Sequence, residues 1–343
     1  MTALPLELLT GRGPLIPLLG LALAGALVYL LASRLARDAD TIAKQTGLGG
    51  LWIGSVLLAA STSLPEMLTD VNAALLDVPD IGVGDLFGST LANMLILAVL
   101  DLVFARRRIL HAVATEHAIL GLLGILLTVM AGIAILVGGW GSIGHVGIET
   151  VAIGVVYIGG MRLLYREVAA GPRSDTLAEP RARGGARTWR AATGFGLGAL
   201  GLAATTPFLV LSADALARES GLSATFVGTL LVGFATSFPE MSATVSAVRL
   251  GALDLAVGNI FGSNAFNMVV FLVMDLFYLR GPVLGVASRD HLLTVLIAVT
   301  CLVLGIMAIL SRAQRRSGPV LLESALIVAA YLAGVWLLYR LGA

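Results

Sequence analysis

Two glutamates stand in strongly apolar parts of this chain, each with the same neighbours. Glu66 closes the run Thr62-Ser63-Leu64-Pro65-Glu66, and Glu240 closes Thr236-Ser237-Phe238-Pro239-Glu240. A second motif follows each: Gly88-Ser89-Thr90-Leu91-Ala92-Asn93 and Gly262-Ser263-Asn264-Ala265-Phe266-Asn267. Both motif pairs share one offset, 174 residues (240 − 66 and 267 − 93). A carboxylate in hydrocarbon is costly unless it faces a cavity or a cation. Two such costs at matching positions point to a cation site built from both halves of a duplicated membrane protein.

The surrounding donors suit that reading. A proline inside a helix removes a backbone hydrogen bond and frees the carbonyl one turn earlier. Pro65 thus releases the carbonyl of Ser61, and Pro239 does the same near Ala235. Freed carbonyls, the hydroxyls of Thr62, Ser63, Thr236 and Ser237, and the two carboxylates are hard oxygen donors of the kind Na⁺ and Ca²⁺ take. Broken helices at membrane depth are tolerated only where the backbone lines a cavity or is buried in protein. A buried arginine could instead pair with Glu66, but no arginine lies in the middle of any apolar run. Ser89 and Asn93 lie four apart on one helical face, as do Ser263 and Asn267, and add neutral oxygens. Gly88 and Gly262 let helices approach closely, and Ser and Asn also hydrogen-bond between helices, so a packing role stands beside the ligand role.

The elements that must position these residues are transmembrane helices. Hydrophobic residues make up 58% of the chain and charged residues 13%, against about 25% charged in soluble domains. About ten spans of membrane length are readable: 14–33, 48–76, 81–104, 117–137, 143–164, 194–217, 224–250, 255–279, 291–310 and 320–341. The lone cysteine, Cys301, falls in an apolar run and reads as packing. The polar, Arg-rich stretch 165–193 reads as a flexible linker rather than a regulatory site. It separates a first five-helix unit (1–164, motifs in 59–93) from a second (194–343, motifs in 233–267). Seventeen of the 22 basic residues fall in loops after odd-numbered spans. The positive-inside rule makes that side, with the linker, cytoplasmic and puts both termini outside.

Five spans per unit, an odd number, insert the second half upside down. The fold expected is therefore all-α and integral to the membrane, with two inverted five-helix repeats and a site near the midplane where they meet. The repeat extends beyond the motifs: roughly two in five positions agree between Gly54 and Leu102 and their counterparts, and Asp80, Asp101 and His117 recur as Asp254, Asp275 and His291.

Thr-Ser-x-Pro-Glu followed by Gly-Asn/Asp-x-x-Gly-Ser-x-x-x-Asn, duplicated in inverted halves, resembles the α-repeats of the Ca²⁺/cation antiporter superfamily. Within it, the pattern is most similar to the sodium/calcium exchanger branch of prokaryotic type. The resemblance implies an alternating-access antiporter moving Ca²⁺ against Na⁺. It implies that Glu66 and Glu240 are the central ion ligands and that Thr62, Ser63, Thr236 and Ser237 flank them. Ser89 and Ser263 become outer Na⁺ ligands, Ala59 and Gly233 supply backbone carbonyls, and Asn93 and Asn267 take the remaining polar positions. The chain departs from the pattern at Ser61 and Ala235, where a glycine is usual, at Asp85 and Thr90, where asparagine is usual, and at Asp70. Asn267, where the K⁺-dependent branch carries aspartate, argues against K⁺ co-transport.

Two ionised glutamates match one Ca²⁺ or several Na⁺. With the site empty, two close carboxylates would share a proton, so H⁺ is a credible competitor or coupling ion. Three readings follow: Na⁺/Ca²⁺ exchange; an H⁺-coupled Ca²⁺, Mg²⁺ or Mn²⁺ exchanger of the same fold; or a non-transporting cation sensor. The Gly-Asn-Ala-Ala-Glu-like motifs of the proton-coupled branch are absent, which favours Na⁺. No nucleophile–base set or phosphate loop indicates an enzyme. No cofactor, nucleic acid or obligatory protein partner is implied; the expected partners are inorganic cations and the lipid bilayer of the plasma (inner) membrane. Asp70 reads as solvated near a helix end. Asp101, Asp275, Glu116-His117 and Asp290-His291 read as structural helix-end groups, and His145 and Glu149 read as facing water at an external loop.

Overall fold

The computed structural model describes residues 10–11, 13–46, 61–170, 186–311 and 322–342. Among them, eight helices are long and apolar enough to cross a membrane. They are α1 (Leu15–Thr46), α3 (Pro79–Val103), α5 (Glu116–Val137), α6 (Ile148–Ala170), α7 (Ala186–Ser220), α11 (Leu253–Phe277), α13 (His291–Leu310) and α14 (Leu322–Gly342). Shorter helices fill the intervals: α2 (Leu64–Leu75), α4 (Ile109–Ala112), α8 (Ala224–Phe226), α9 (Gly233–Thr236), α10 (Phe238–Leu250) and α12 (Val283–Val286). A π-helical segment, Val227–Val232, joins α8 to α9.

The ten expected spans become these eight helices and two interrupted segments. The seventh span breaks at Ser237, whose φ/ψ of −78°/1° ends α9 and opens α10. The second breaks at Ser63 (−84°/7°), before α2; its upstream half lies outside the described residues. Pro65 and Pro239 each sit in the first turn of the new helix, where a missing N–H is tolerated. The prolines therefore start helices here instead of kinking one.

The duplication is visible in the elements. α3 and α11 are both 25 residues long and begin 174 residues apart (253 − 79). The four-residue α4 and α12 keep the same offset, and so do the ends of α1 and α7. α3 and α11 are apolar all round, as central helices should be. In their most apolar windows 78% and 61% of residues are buried, against 28% for α6 and for α14. The outer helices expose large apolar side chains such as Leu23, Val155, Ile158, Leu200 and Leu332 to the lipid. α1 lies along α7, with Leu31 and Leu35 over Gly201 and Gly198.

Three details differ from expectation. A two-stranded antiparallel hairpin, β1 (Ser142–Ile143) with β2 (Val146–Gly147), interrupts the all-α pattern between α5 and α6. The supposed linker 165–193 is shorter, because α6 continues to Ala170 and α7 begins at Ala186; residues 171–185 lie outside the described ones. The first span continues well past residue 33, to Thr46.

The paired aspartates and histidines are structural, as expected, but they act between repeats and not on their own helix ends. The Asp275 carboxylate accepts from the Thr150 hydroxyl (2.7 Å) and the Gly147 N–H (2.6 Å) on one oxygen, and from the Val283 N–H (2.7 Å) on the other. Asp101 accepts from the Ser324 hydroxyl at 2.6 Å. Thr150 and Ser324 are themselves 174 apart, so each half fastens the last helix of the other. Asp80 and His291 meet at 3.1 Å, as do Asp254 and His117. Thr115 and Asp290, which precede α5 and α13, make no side-chain cap.

Thr150→Val and Ser324→Val each leave a buried carboxylate short of a donor, a loss of about 1–3 kcal/mol. Thermal unfolding of the purified protein should show a lowered midpoint for both, with Ser246→Ala, an exposed hydroxyl bonded to its own helix, unchanged. Wild-type midpoints in both variants would refute the clasp.

Candidate cation site

The two broken segments and the two central helices meet at the centre. Glu66 and Glu240 occupy the first turns of α2 and α10, where the positive end of the helix dipole favours an acidic group. Both are fully buried. Close approach of backbones makes this possible. A Cβ on Gly88 would lie 2.0 Å from the Thr229 carbonyl oxygen, and one on Gly233 would lie 2.7 Å from the Gly88 carbonyl carbon. Only glycine lets α3 rest on the π-helical turn, and that contact brings Ser89 onto the Gly233 carbonyl at 3.3 Å. π-helical turns of this kind are frequent at functional sites.

The two glutamates are not treated alike. Glu240 Oε1 accepts from the Ser63 hydroxyl at 3.1 Å and the Ser263 hydroxyl at 3.4 Å, and Thr62 also reaches it. Its donors thus come from both repeats. Among the described residues, no side-chain donor reaches either oxygen of Glu66. The hydroxyls that repeat symmetry would assign to it are engaged elsewhere. Thr236 donates to Asp85 Oδ1 at 2.7 Å, Ser89 lies 3.3 Å from the same oxygen, and Ser237 donates to the Gly233 carbonyl at 2.8 Å.

The asparagines sit on the same inner face. Asn93 donates to Asn264 Oδ1 at 2.9 Å. Among the described residues, Asn267 is fully buried with neither amide atom partnered, and Asn93 Oδ1 and Glu240 Oε2 are likewise without donors. Buried polar atoms in folded proteins nearly always have partners, so this concentration of bare oxygens makes the region the candidate for a cation. Among the described residues, no three acidic, histidine or cysteine side chains converge on one point; hydroxyls, amides and carbonyls must complete any ion's shell. Of the sequence-derived candidates, Glu66, Glu240, Thr62, Ser63, Thr236, Ser237, Ser89, Ser263, Asn93, Asn267 and Gly233 are all buried in this region. Ala59 lies outside the described residues.

Two expectations are corrected. Asp70 is not solvated: it is fully buried beside Gly82, and its carboxyl reaches that of Asp85. Its place four residues after Glu66 on one helical face was the available signal; its nearness to the chain turn at 76–78 argued the other way. Glu149 is also fully buried and accepts from the Trp140 N–H at 3.0 Å, closing the β-hairpin, while His145 stays at the surface.

A buried, donor-lined acidic site between inverted halves of a helical membrane protein defines a multi-pass cation transporter. The comparisons make the class particular. The family described as "Sodium/calcium exchanger protein" matches residues 16–159 and 190–340, and the chain belongs to it. The chain is 30% identical to the inner membrane protein YrbG of Escherichia coli K12 over 281 residues, covering 80% of this chain and 83% of that one. It is 27% identical to the sodium/calcium exchanger MaX1 of Methanosarcina acetivorans, covering 86% and 93%. Among solved structures, the H⁺/Ca²⁺ exchanger CAX shares the fold with a TM-score of 0.63 at 14% identity, over 94% of this chain and 87% of that one. Of these, MaX1 and CAX are named as exchangers.

Gly88→Ala forces a methyl group into the Thr229 backbone, and overpacking of this kind costs about 1–3 kcal/mol. Gly196→Ala, with open space around it, is the control. Size-exclusion and thermal unfolding should show Gly88→Ala less stable and Gly196→Ala like wild type; equal behaviour of the two would mean the α3 contact is not tight.

Proposed function

We propose that the chain is a secondary active Na⁺/Ca²⁺ antiporter of the plasma (inner) membrane, binding its ions at the midplane between Glu66 and Glu240 and exposing them alternately to either side. The observation that carries the reading is the cross-repeat donor set on Glu240, together with the bare oxygens of Glu66, Asn93 and Asn267. In this reading the glutamates are the central ligands. Thr62, Ser63, Thr236, Ser237, Ser89 and Ser263 supply hydroxyls, Ala59 and Gly233 carbonyls, and Asn93 and Asn267 amide oxygens.

Two carboxylates balance one Ca²⁺, or Na⁺ ions entering one by one. Because both ions use the same oxygens, occupancy by one displaces the other, and exchange follows instead of leak. Hydroxyl and carbonyl donors suit Na⁺ as well as Ca²⁺, and the name of the MaX1 relative supports the same coupling. The CAX structure shares the fold, so the fold alone does not select the coupling ion. The arrangement goes with 1–164 and 194–343 as the repeats, both termini outside and the Arg-rich 165–193 segment in the cytoplasm.

The test is ⁴⁵Ca²⁺ uptake into proteoliposomes loaded with Na⁺, with K⁺-loaded and pH-gradient controls. Uptake should require the outward Na⁺ gradient and fall to background in Glu66→Gln and in Glu240→Gln. Uptake driven by a pH gradient alone would replace Na⁺ with H⁺ as the coupling ion. Variants that transport like wild type would remove the glutamates from the site.

A further inference from the structure

The internal repeat supplies its own comparison at two positions that the exchange reading leaves unused. In the second half, Thr244 and Asn259 form an ordinary neutral pair, with the Asn259 amide donating to the Thr244 hydroxyl at 3.3 Å. Their counterparts 174 residues earlier are Asp70 and Asp85. The geometry is kept: the two carboxyls are within hydrogen-bonding reach of each other. The chemistry is not: two ionised carboxylates are acceptors only, so a shared proton or a cation must bridge them. Among the described residues no other donor reaches Asp70 or Asp85 Oδ2, and both residues are fully buried.

Room has been made for this pair. A Cβ on Gly82 would lie 3.2 Å from Asp70 Oδ1 and 2.9 Å from Met274 Cε, whereas the counterpart of Gly82 is Ala256. The third acidic group here is Glu66 itself, fully buried, bare on both oxygens and within electrostatic reach of Asp85 and Asp70. Among the described residues no basic side chain answers them. At this end of the molecule Arg280 pairs with Asp77 and His291 with Asp80. A carboxylate left alone at membrane depth costs about 2.5–3.5 kcal/mol, so these oxygens call for a cation.

We propose that Asp70 and Asp85 form a second cation site, present in the first repeat only, that takes a hard divalent cation beside Glu66 on the side of the 76–78 turn. Two carboxylates match a divalent ion's charge, and oxygen is the donor such ions prefer. The Thr236 and Ser89 hydroxyls hold Asp85 Oδ1 in place and leave Oδ2 for the ion. The site lies between the central glutamates and the α2–α3 turn, so an ion there is one step from Glu66. This inference rests on the exchange reading only for which ions reach the site.

The experiment counts bound ⁴⁵Ca²⁺ by equilibrium dialysis of the full-length protein in nanodiscs, without Na⁺. Wild type should bind two Ca²⁺ and Asp70→Thr/Asp85→Asn, which installs the second repeat's own residues, should bind one. Glu240→Gln should lose the central ion and keep the one at the acidic pair. The isosteric single variants Asp70→Asn and Asp85→Asn, each retaining the size-exclusion profile of wild type, should weaken the second binding event at least tenfold. One bound Ca²⁺ in wild type, or the same count in wild type and the double variant, would overturn the proposal and leave a bridging proton as the occupant. Two bound ions in wild type and one in the double variant, with no Na⁺-driven uptake, would overturn the exchange reading and leave this site standing.

Discussion

Carboxylates without counter-charge at membrane depth are the constraint around which this molecule is arranged. Glu66, Asp70, Asp85 and Glu240 are all fully buried, and no arginine or lysine reaches them among the described residues. Ionised and alone, each would cost about 2.5–3.5 kcal/mol at a helix centre. The fold answers with dipoles and hydroxyls instead of opposite charges. Both glutamates sit in first turns created by a broken helix, and hydroxyls converge on Glu240 and Asp85. Such neutral partners lower the cost without filling the site with a fixed cation. An arginine there would stabilise the fold better and leave no place for an ion.

Backbone breaks of this sort are admissible in a bilayer only when protein surrounds them, and the rest of the architecture supplies that cover. The glycine contact between α3 and the π-helical turn removes the space that lipid or water would otherwise enter. The outer helices then need little more than apolar faces toward lipid. The cross-repeat clasps at Asp101 and Asp275 fasten the last helix of each half to the other half, so the two halves form one body around the centre. The histidine clasps obey the same two-fold rule but differ in burial. His291 is fully buried beside Asp80, whereas Asp254 beside His117 is 59% exposed. The two ends of the molecule are therefore not equivalent, although the same residue types pair at both.

Much of this was legible in the sequence because duplication turns a weak pattern into a repeated one. A single Thr-Ser-x-Pro-Glu could be a kinked helix; two at one offset, each with a trailing Gly-Ser…Asn, fix the central helices and the residues facing inward. Pattern reading failed where the outcome depends on which neighbour wins a shared donor. Nothing local to Thr236 reveals that its hydroxyl serves Asp85 and not Glu66. Asp70 departs from its sequence reading for a related reason: nearness to a turn argues for solvent, whereas Gly82 on α3 lies against its carboxylate and α11 packs on α2. Glu149 was misplaced because a loop was expected where a hairpin folds back over its carboxylate. Clasps such as Asp275–Thr150 join residues too far apart in sequence for any local pattern to link them.

The broken symmetry at the centre bears on how an exchanger of this kind can discriminate. If both glutamates held identical donor sets, the two sides of the site would bind ions equally, and ligand order would be set by access alone. Here Glu240 already has hydroxyl donors from both halves, so on the proposed reading an ion approaching it must displace or share them. Glu66 has no hydroxyl donor among the described residues, so on the same reading an ion there has none to displace. Two of the hydroxyls missing from Glu66, those of Thr236 and Ser89, have gone to Asp85, one helical turn before Ser89 on the same helix. A single substitution in the first repeat, aspartate where the second keeps asparagine, thus redistributes hydroxyls across the site and adds charge on one side. The repeat preserves the frame of the proposed ion site, and departures from the repeat decide where the acidic groups within that frame lie.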